Sequence, residues 1–197
     1  QLRALDRFRR IRVRQERQRN TYLDTRDLRL RRARSVLKLR QVGGRTDLTY
    51  KRSRGVRRGV AERLEVTAPI RRSQLRRVLS GRLTLAPMRC VRMVVGDLPL
   101  EPLFTLFTHR YGLIFSDGRS RVEVDVDRVT FRKGGRVRAR RLEVEVENLT
   151  APPAAFSRAV TALRRRFGGA VKPTTVSKFE YGLRVAGRRG RSTAAYV

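Results

Sequence analysis

The chain has 197 residues, of which 49 are Lys or Arg and 17 are Asp or Glu, so its formal net charge at pH 7 is +32. Hydrophobic residues make up 40% of the sequence, which is enough for a folded core and excludes a wholly disordered protein. The positive charge predicts polyanionic partners. No apolar run approaches the roughly 20 residues that a transmembrane helix needs, and no secretory signal opens the sequence. We therefore expect a cytoplasmic protein with no membrane partner.

The single cysteine, Cys90, and the single histidine, His109, exclude two kinds of site. One thiol cannot form an intrachain disulfide or a multi-cysteine zinc site. One imidazole cannot build a histidine-rich metal centre. These counts leave carboxylates as the candidate metal ligands.

The N-terminal half is predicted to be mostly extended. Residues 2–10 carry Leu and Phe at helical spacing and predict a short basic helix, whereas residues 11–22 alternate as a strand does. Further strands are predicted at 36–41, 47–51 and 62–67, the first two joined by a turn at Gly43 and Gly44.

The C-terminal half begins with residues 68–106, in which prolines, a glycine and an apolar stripe predict broken helices. A helix is predicted from Pro152 and Pro153 to Gly168. Residues 184–197 are rich in Arg and Gly and predict a flexible tail after a single domain of residues 1–183. Between the broken helices and the last helix, an antiparallel meander is predicted with strands at 104–115, 122–131 and 141–148.

Two strands of this meander carry alternating carboxylates. The first row is Glu123, Asp125 and Asp127, and the second is Glu143, Glu145 and Glu147. Because strand side chains alternate, each row lies on one face of its strand and the interleaved Val and Leu lie on the other. Neighbouring like charges repel unless a divalent metal or basic side chains lie among them. Two interpretations stay open: a metal site, or solvent-facing rows that pair with nearby Arg.

The patterns together predict an α+β fold in which an antiparallel β-barrel with a charged lumen is flanked by helices. Charged residues recur at alternate strand positions and are expected to face the lumen. The apolar residues between them then face outward, where they need helices to cover them. Outside the acidic rows, these charged positions include Lys38, Arg40 and Lys51. Such a lumen is expected to bind a highly charged molecule.

Several short segments also occur in a recognisable order. They are NTYLDT at 20–25, LKLR at 37–40, LTYK at 48–51, the strand with Arg63 and Glu65, Arg110 in THRYGL, Asp127, the second acidic row, and SKF at 177–179. In this order they resemble the CYTH domains, or triphosphate tunnel metalloenzymes. The family's N-terminal ExExK strand has no counterpart, either because the chain as given starts after it or because this member lacks it. Tyr181 stands where the family often has Arg.

The resemblance implies a linear triphosphate held in a tunnel by Arg and Lys, beside Mg²⁺ or Mn²⁺ bound by carboxylates. The implied phosphate ligands are Lys38, Arg40, Lys51, Arg63, Arg110 and Lys178. The implied metal ligands are Glu143, Glu145 and Asp127, and the implied catalytic residues are Glu143, Glu145 and Lys178.

We therefore expect a metal-dependent phosphohydrolase, a triphosphatase acting on inorganic tripolyphosphate or on another triphosphate such as a nucleoside triphosphate. Tripolyphosphate is the first choice, because the chain has no Trp and few aromatic residues near its basic strands to form a base pocket. The alternatives are a non-catalytic module that binds long-chain polyphosphate or RNA, a polyphosphate polymerase-like protein, and a structural protein of an RNA assembly. A charge of +32 exceeds what one triphosphate requires and favours a binding role.

Overall fold

A computed structural model of the chain describes residues 2–57 and 60–187, and describes side chains outside residues 54–63. This part of the chain forms an eight-stranded sheet and five α-helices. The strands are β1 (Ala4–Leu5), β2 (Phe8–Asp24), β3 (Ser35–Val42), β4 (Arg45–Arg57), β5 (Val60–Pro69), β6 (Glu101–Ser116), β7 (Arg121–Lys133) and β8 (Arg136–Asn148). The helices are α1 (Arg29–Arg32), α2 (Leu75–Leu79), α3 (Ala86–Val95), α4 (Pro153–Phe167) and α5 (Lys178–Val185).

The strands follow the order β5-β4-β3-β2-β6-β7-β8, with β1 paired to β2. Strands β2 to β5 pair antiparallel with their neighbours. The β3–β4 hairpin turns at Gly43 and Gly44, whose φ angles of 52° and 83° favour glycine. The predicted α+β architecture with an antiparallel sheet is confirmed. Closure of that sheet into a barrel stays a prediction.

The chain divides into two compact units. The first unit comprises Gln1–Arg17, Thr108–Val129 and Arg140–Thr174. The second unit comprises Gln18–Phe107, Thr130–Ala139 and the chain from Thr175 onward. Each unit has its own hydrophobic core.

In the first unit, α4 covers the apolar side of the two acidic strands. Val122 and Val124 of β7 are buried in one cluster with Ala159 of α4, and Val144 and Val146 of β8 pack against it. The carboxylates between these valines therefore lie on the opposite faces of β7 and β8. The sequence prediction that the apolar partners pack under a helix is confirmed for these strands.

In the second unit, the longest helix covering the core is α3. Its Met88, Val91 and Val95 are buried together with Leu37 of β3 and Leu48 of β4. The opposite face of the β3–β4 hairpin carries the predicted basic positions. Lys38 lies across from Thr49 and Arg40 lies across from Asp47.

The short C-terminal helix α5 was not predicted from the sequence. Ser177 caps it by accepting a hydrogen bond from the Glu180 backbone N–H at 3.1 Å. Phe179 packs against the rings of Tyr22 and Phe104. Gly182 is required by this contact, because a Cβ there would lie 2.2 Å from Phe104 Cε2.

The predicted helix at residues 2–10 is wrong. Leu5 and Phe8 are spaced as in a helix, but Asp6 has a φ of 53° and turns the chain, so that Ala4 pairs with Arg9 in a β-hairpin. Leu5 and Phe8 are 2% and 1% exposed in the first core, so burial in the core overrides the helical spacing. The predicted helical section is also too long, since β6 begins at Glu101.

Two further predictions concern the ends of the chain and the membrane. Helix α5 ends at Val185, and residues 188–197 of the predicted tail lie outside the described residues. Among the described residues, no helix is both long and apolar enough to span a membrane.

Candidate functional site

The acidic row on β7 is buried. Glu123 is 5% exposed, and Asp125 and Asp127 are 0% exposed. Of the valines that alternate with them, Val122 and Val124 are buried and Val126 is half-buried, so β7 is largely enclosed on both faces. The interpretation as a solvent-facing row is therefore wrong for β7. Carboxylates enclosed in this way need cationic partners.

Arg110 on β6 is the principal cation among these carboxylates. Its Nε donates to Asp127 Oδ1 at 2.8 Å and its Nη2 donates to Asp127 Oδ2 at 2.7 Å, which forms a bidentate pair. Nη2 also donates to Glu145 Oε2 at 2.9 Å. Nη1 lies 2.5 Å from Asp125 Oδ2. One guanidinium thus contacts carboxylates from both β7 and β8.

The charge of Arg110 is permanent. Burial by itself would lower the pKa of Arg110, but hydrogen bonding to Asp127 and the charges of Asp127, Asp125 and Glu145 raise it above its ordinary value. Arg110 therefore acts as an unchanging positive charge, and any pH dependence of the cluster comes from its carboxylates.

Arg14 on β2 is a second cation, which the sequence analysis did not single out. Its Nε donates to Glu123 Oε1 at 2.7 Å, and its Nη2 lies 3.9 Å from Asp125 Oδ1. Strand β6 lies between β2 and β7, and Gly112 on β6 makes the crossing possible. A Cβ at Gly112 would lie 2.7 Å from Arg14 Nε and 2.9 Å from Glu123 Oε1. The sequence signal was the alternation of Arg12, Arg14 and Glu16. It does not stand out, because Arg is frequent throughout this chain.

Asp125 is the least satisfied carboxylate of the cluster. Both of its side-chain oxygens are buried without a hydrogen bond in the described part of the chain. The guanidiniums of Arg110 and Arg14 lie within ion-pair distance of them but are not aligned for hydrogen bonds. Burial raises the pKa of Asp125 to about 7, against the attraction of Arg110 and with added repulsion from Glu123, Asp127 and Glu147.

Comparison with known families accounts for this arrangement of strands and charges. The sequence model of the CYTH domain matches residues 1–173. The chain belongs to the CYTH family. No curated protein matches this CYTH chain in sequence.

Solved structures share the fold of this CYTH protein. HpAC1 from Hippeastrum, which has a dominant triphosphatase activity, is 19% identical with a TM-score of 0.62, over 95% of this chain and 88% of its own. A candidate adenylate cyclase from Bacillus halodurans is 18% identical with a TM-score of 0.60, over 90% and 84%. PH1819 from Pyrococcus horikoshii is 18% identical with a TM-score of 0.51, over 91% and 89%. At these identities the likeness supports the fold alone.

CYTH proteins are generally metal-dependent, and the acidic cluster of this chain fits a divalent cation. Glu123, Asp125 and Glu147 each place an oxygen within 4.8 Å of the others. Mg²⁺ and Mn²⁺ prefer such oxygen ligands. The unbonded oxygens of Asp125 supply the specific evidence of fit, because a bound cation would satisfy them. Glu147 is exposed and opens the cluster to solvent.

The structure brings together some of the sequence-predicted site residues of the first unit. Asp127 and Glu145 converge on Arg110. Glu143 lies with Oε1 3.3 Å from Arg141 Nε. Each of the three predicted metal ligands is therefore paired with a basic side chain, Asp127 and Glu145 with Arg110 and Glu143 with Arg141.

The other predicted phosphate ligands belong to the second unit. Lys38 and Arg40 lie on β3, and Lys178 is the first residue of α5. Lys51 Nζ lies 2.7 Å from Glu65 Oε2. Arg63 lies on β5, but its side chain is outside the described residues.

The raised pKa of Asp125 predicts that stability depends on pH in the metal-free CYTH protein. The carboxyl has an ordinary pKa near 3.9 in an unfolded chain and a pKa of about 7 in the fold. The folded state therefore holds the proton more tightly, and the stability from Asp125 is full below about pH 4 and is lost as pH rises through 7. We expect the difference in unfolding free energy, Asp125→Asn minus wild type, to increase by on the order of 2 kcal/mol between about pH 5 and pH 8. Urea unfolding with a chelator measures it, and a difference independent of pH would contradict the prediction.

Proposed function

We propose that this CYTH protein is a metal-dependent phosphohydrolase that cleaves inorganic tripolyphosphate or another triphosphate. The observation that carries the proposal is the buried cluster in which Arg110 contacts Asp125, Asp127 and Glu145 while the oxygens of Asp125 lack hydrogen bonds. The triphosphatase activity of HpAC1, which has the same fold, supports the same chemistry. The net charge of +32 suits a polyanionic substrate.

We propose that Glu123, Asp125 and Glu147 hold the metal. Both oxygens of Asp127 already accept hydrogen bonds from Arg110, and Glu145 accepts another. The ligand set expected from the sequence, Glu143, Glu145 and Asp127, is therefore the second choice. When bound, Mg²⁺ or Mn²⁺ would neutralise phosphate charge and polarise the phosphoryl group.

The protein groups divide the remaining tasks. Arg110 orients the carboxylates around it, since its donors are directed at them. Glu145 has a side chain that is 38% exposed, so its carboxylate is open to solvent and can orient an attacking water molecule. Asp127 is enclosed and cannot do so.

The phosphate groups of the substrate need further basic ligands. We propose Lys38, Arg40, Lys51, Arg63 and Lys178 for this role, with Arg110 contributing if a phosphate oxygen replaces one of its carboxylates. Lys178 and Glu143 remain proposed catalytic residues. Arg would bind phosphate oxygens bidentately, whereas Lys would supply a point charge.

Phosphate release from tripolyphosphate tests the function, with Mn²⁺, Mg²⁺ or a chelator in parallel reactions. We expect turnover with one or both metals and none with the chelator. A protein with no turnover in any metal would not be a triphosphatase. Binding alone is not informative, because a chain of this charge binds most polyanions.

One observation favours a second candidate, a non-catalytic domain that binds polyphosphate or nucleic acid. Arg14 and Arg110 neutralise part of the acidic cluster without a metal. A domain that only binds polyanions would need no metal at all, and its affinity would fall steeply with salt. Metal-independent binding without turnover would therefore identify this alternative. A protein of this kind would neither hydrolyse nor synthesise polyphosphate.

A further inference from the structure

A surface of the second unit presents an exposed aromatic ring between two guanidiniums. Phe107 on β6 is 39% exposed, although large apolar side chains beside it in sequence, such as Leu106, are buried. The guanidinium carbons of Arg19 on β2 and Arg132 on β7 each lie 5.7 Å from the centre of its ring. Because β6 lies between β2 and β7, these side chains come from three neighbouring strands. We call these three residues the Phe107 platform.

The sequence that flanks Arg132 of the Phe107 platform carries charge of one sign. Between residues 128 and 142 the sequence contains no Asp or Glu. Gln41 on β3 lies directly opposite Arg19, so its amide is on the same face of the sheet. The basic residues of this stretch are Arg128, Arg132, Lys133, Arg136, Arg138, Arg140 and Arg141.

We propose that the Phe107 platform binds single-stranded nucleic acid. Positive charge alone would suit any polyanion, including inorganic polyphosphate, but an exposed ring contributes nothing to a chain of bare phosphates. A nucleobase has a flat face that stacks on an aromatic ring or on a guanidinium plane, while Arg also contacts the neighbouring phosphates. Gln41 adds an amide that can hydrogen-bond to the edge of a base.

The Phe107 platform shares no residue with the proposed hydrolase site. Strand alternation places Phe107 on the face of β6 opposite Leu106 and Arg110. Loss of the ring should therefore leave tripolyphosphate turnover unchanged. The two proposals can fail independently.

The test compares the affinity of the protein for oligonucleotides with its affinity for polyphosphate of similar charge. The oligonucleotides are RNA and DNA of the same sequence, about 12 nucleotides long. We expect Phe107→Leu to weaken oligonucleotide binding about tenfold, because one base loses its stacking partner. Polyphosphate affinity and the salt dependence of binding should not change, since the substitution removes no charge. The matched control is Phe167→Leu, at a ring that is 36% exposed, and it should bind as wild type does.

A second variant gives a direct signal of stacking. The chain contains no Trp, so Phe107→Trp introduces a single Trp, whose emission can be excited apart from that of the five Tyr residues. Stacking should quench its fluorescence on addition of the oligonucleotide but not on addition of polyphosphate, and Phe167→Trp should show no such difference. Quenching by RNA alone would identify RNA as the ligand, and quenching by both would show that the sugar is not read. Equal binding by Phe107→Leu and wild type, together with no oligonucleotide-specific quenching, would overturn the proposal.

Discussion

Replacement of Arg110 by Met is expected to lower the free energy of unfolding by about 3–5 kcal/mol. The Arg110 side chain is 9% exposed, and it supplies two hydrogen bonds to Asp127, one to Glu145 and an ion pair to Asp125. Met fills much of the same volume but leaves buried carboxylates without that positive charge. Since those carboxylates can avoid the cost by taking up protons, the loss should be larger at pH 8 than at pH 5.

Urea unfolding of wild type and variants measures this effect. Arg128→Met on β7 is the matched control, because Arg128 is exposed and the substitution removes the same charge. It should change stability by less than about 0.5 kcal/mol. Arg110→Lys should fall between the two, since Lys keeps the charge but cannot form the bidentate pair. Equal stability of Arg110→Met and Arg128→Met would show that the cluster does not depend on the guanidinium.

Removal of the Glu143 and Glu145 carboxylates on β8 is expected to have the largest effect on activity. In the proposed site, Glu143→Gln/Glu145→Gln should reduce metal-dependent tripolyphosphate turnover by at least about a hundredfold, because the group that orients the attacking water is lost. Glu147→Gln should instead raise the Mn²⁺ concentration for half-maximal activity by at least about tenfold, because a metal ligand is lost. Titration of the initial rate with Mn²⁺ separates the two effects.

The same titration decides between the two proposed ligand sets. If Glu143, Glu145 and Asp127 hold the metal, then Glu147→Gln should titrate as wild type does, and the double variant should need more Mn²⁺. Asp97→Asn, at an exposed carboxylate after α3, is the control and should leave both the rate and the Mn²⁺ dependence unchanged. A double variant as active as wild type would remove Glu143 and Glu145 from the mechanism.

Much of the strand pattern could be predicted from the sequence because period-two alternation is a local signal. The valines between the carboxylates predicted that one face of β7 and β8 packs under a helix, and Val122 and Val124 do so beside Ala159. The signal failed at residues 2–10, where Leu5 and Phe8 have helical spacing but a hairpin buries both. Residue spacing alone cannot distinguish a helix from a hairpin here, because the hairpin is stabilised by packing of Leu5 and Phe8 in a core with α4, which is far along the chain.

The sequence established the chain's charge, the alternation of its strands, its two rows of carboxylates and its resemblance to the CYTH family, because each is written in local residue order. The tertiary structure decided which partner each charge meets. Arg14 lies 109 positions from Glu123 in the chain. The two side chains meet across β6, the strand between β2 and β7, because Gly112 on β6 has no side chain to block the contact. In the same way, the burial of Asp125 and the exposure of Phe107 between Arg19 and Arg132 depend on how the strands are ordered in the sheet, which no local pattern encodes.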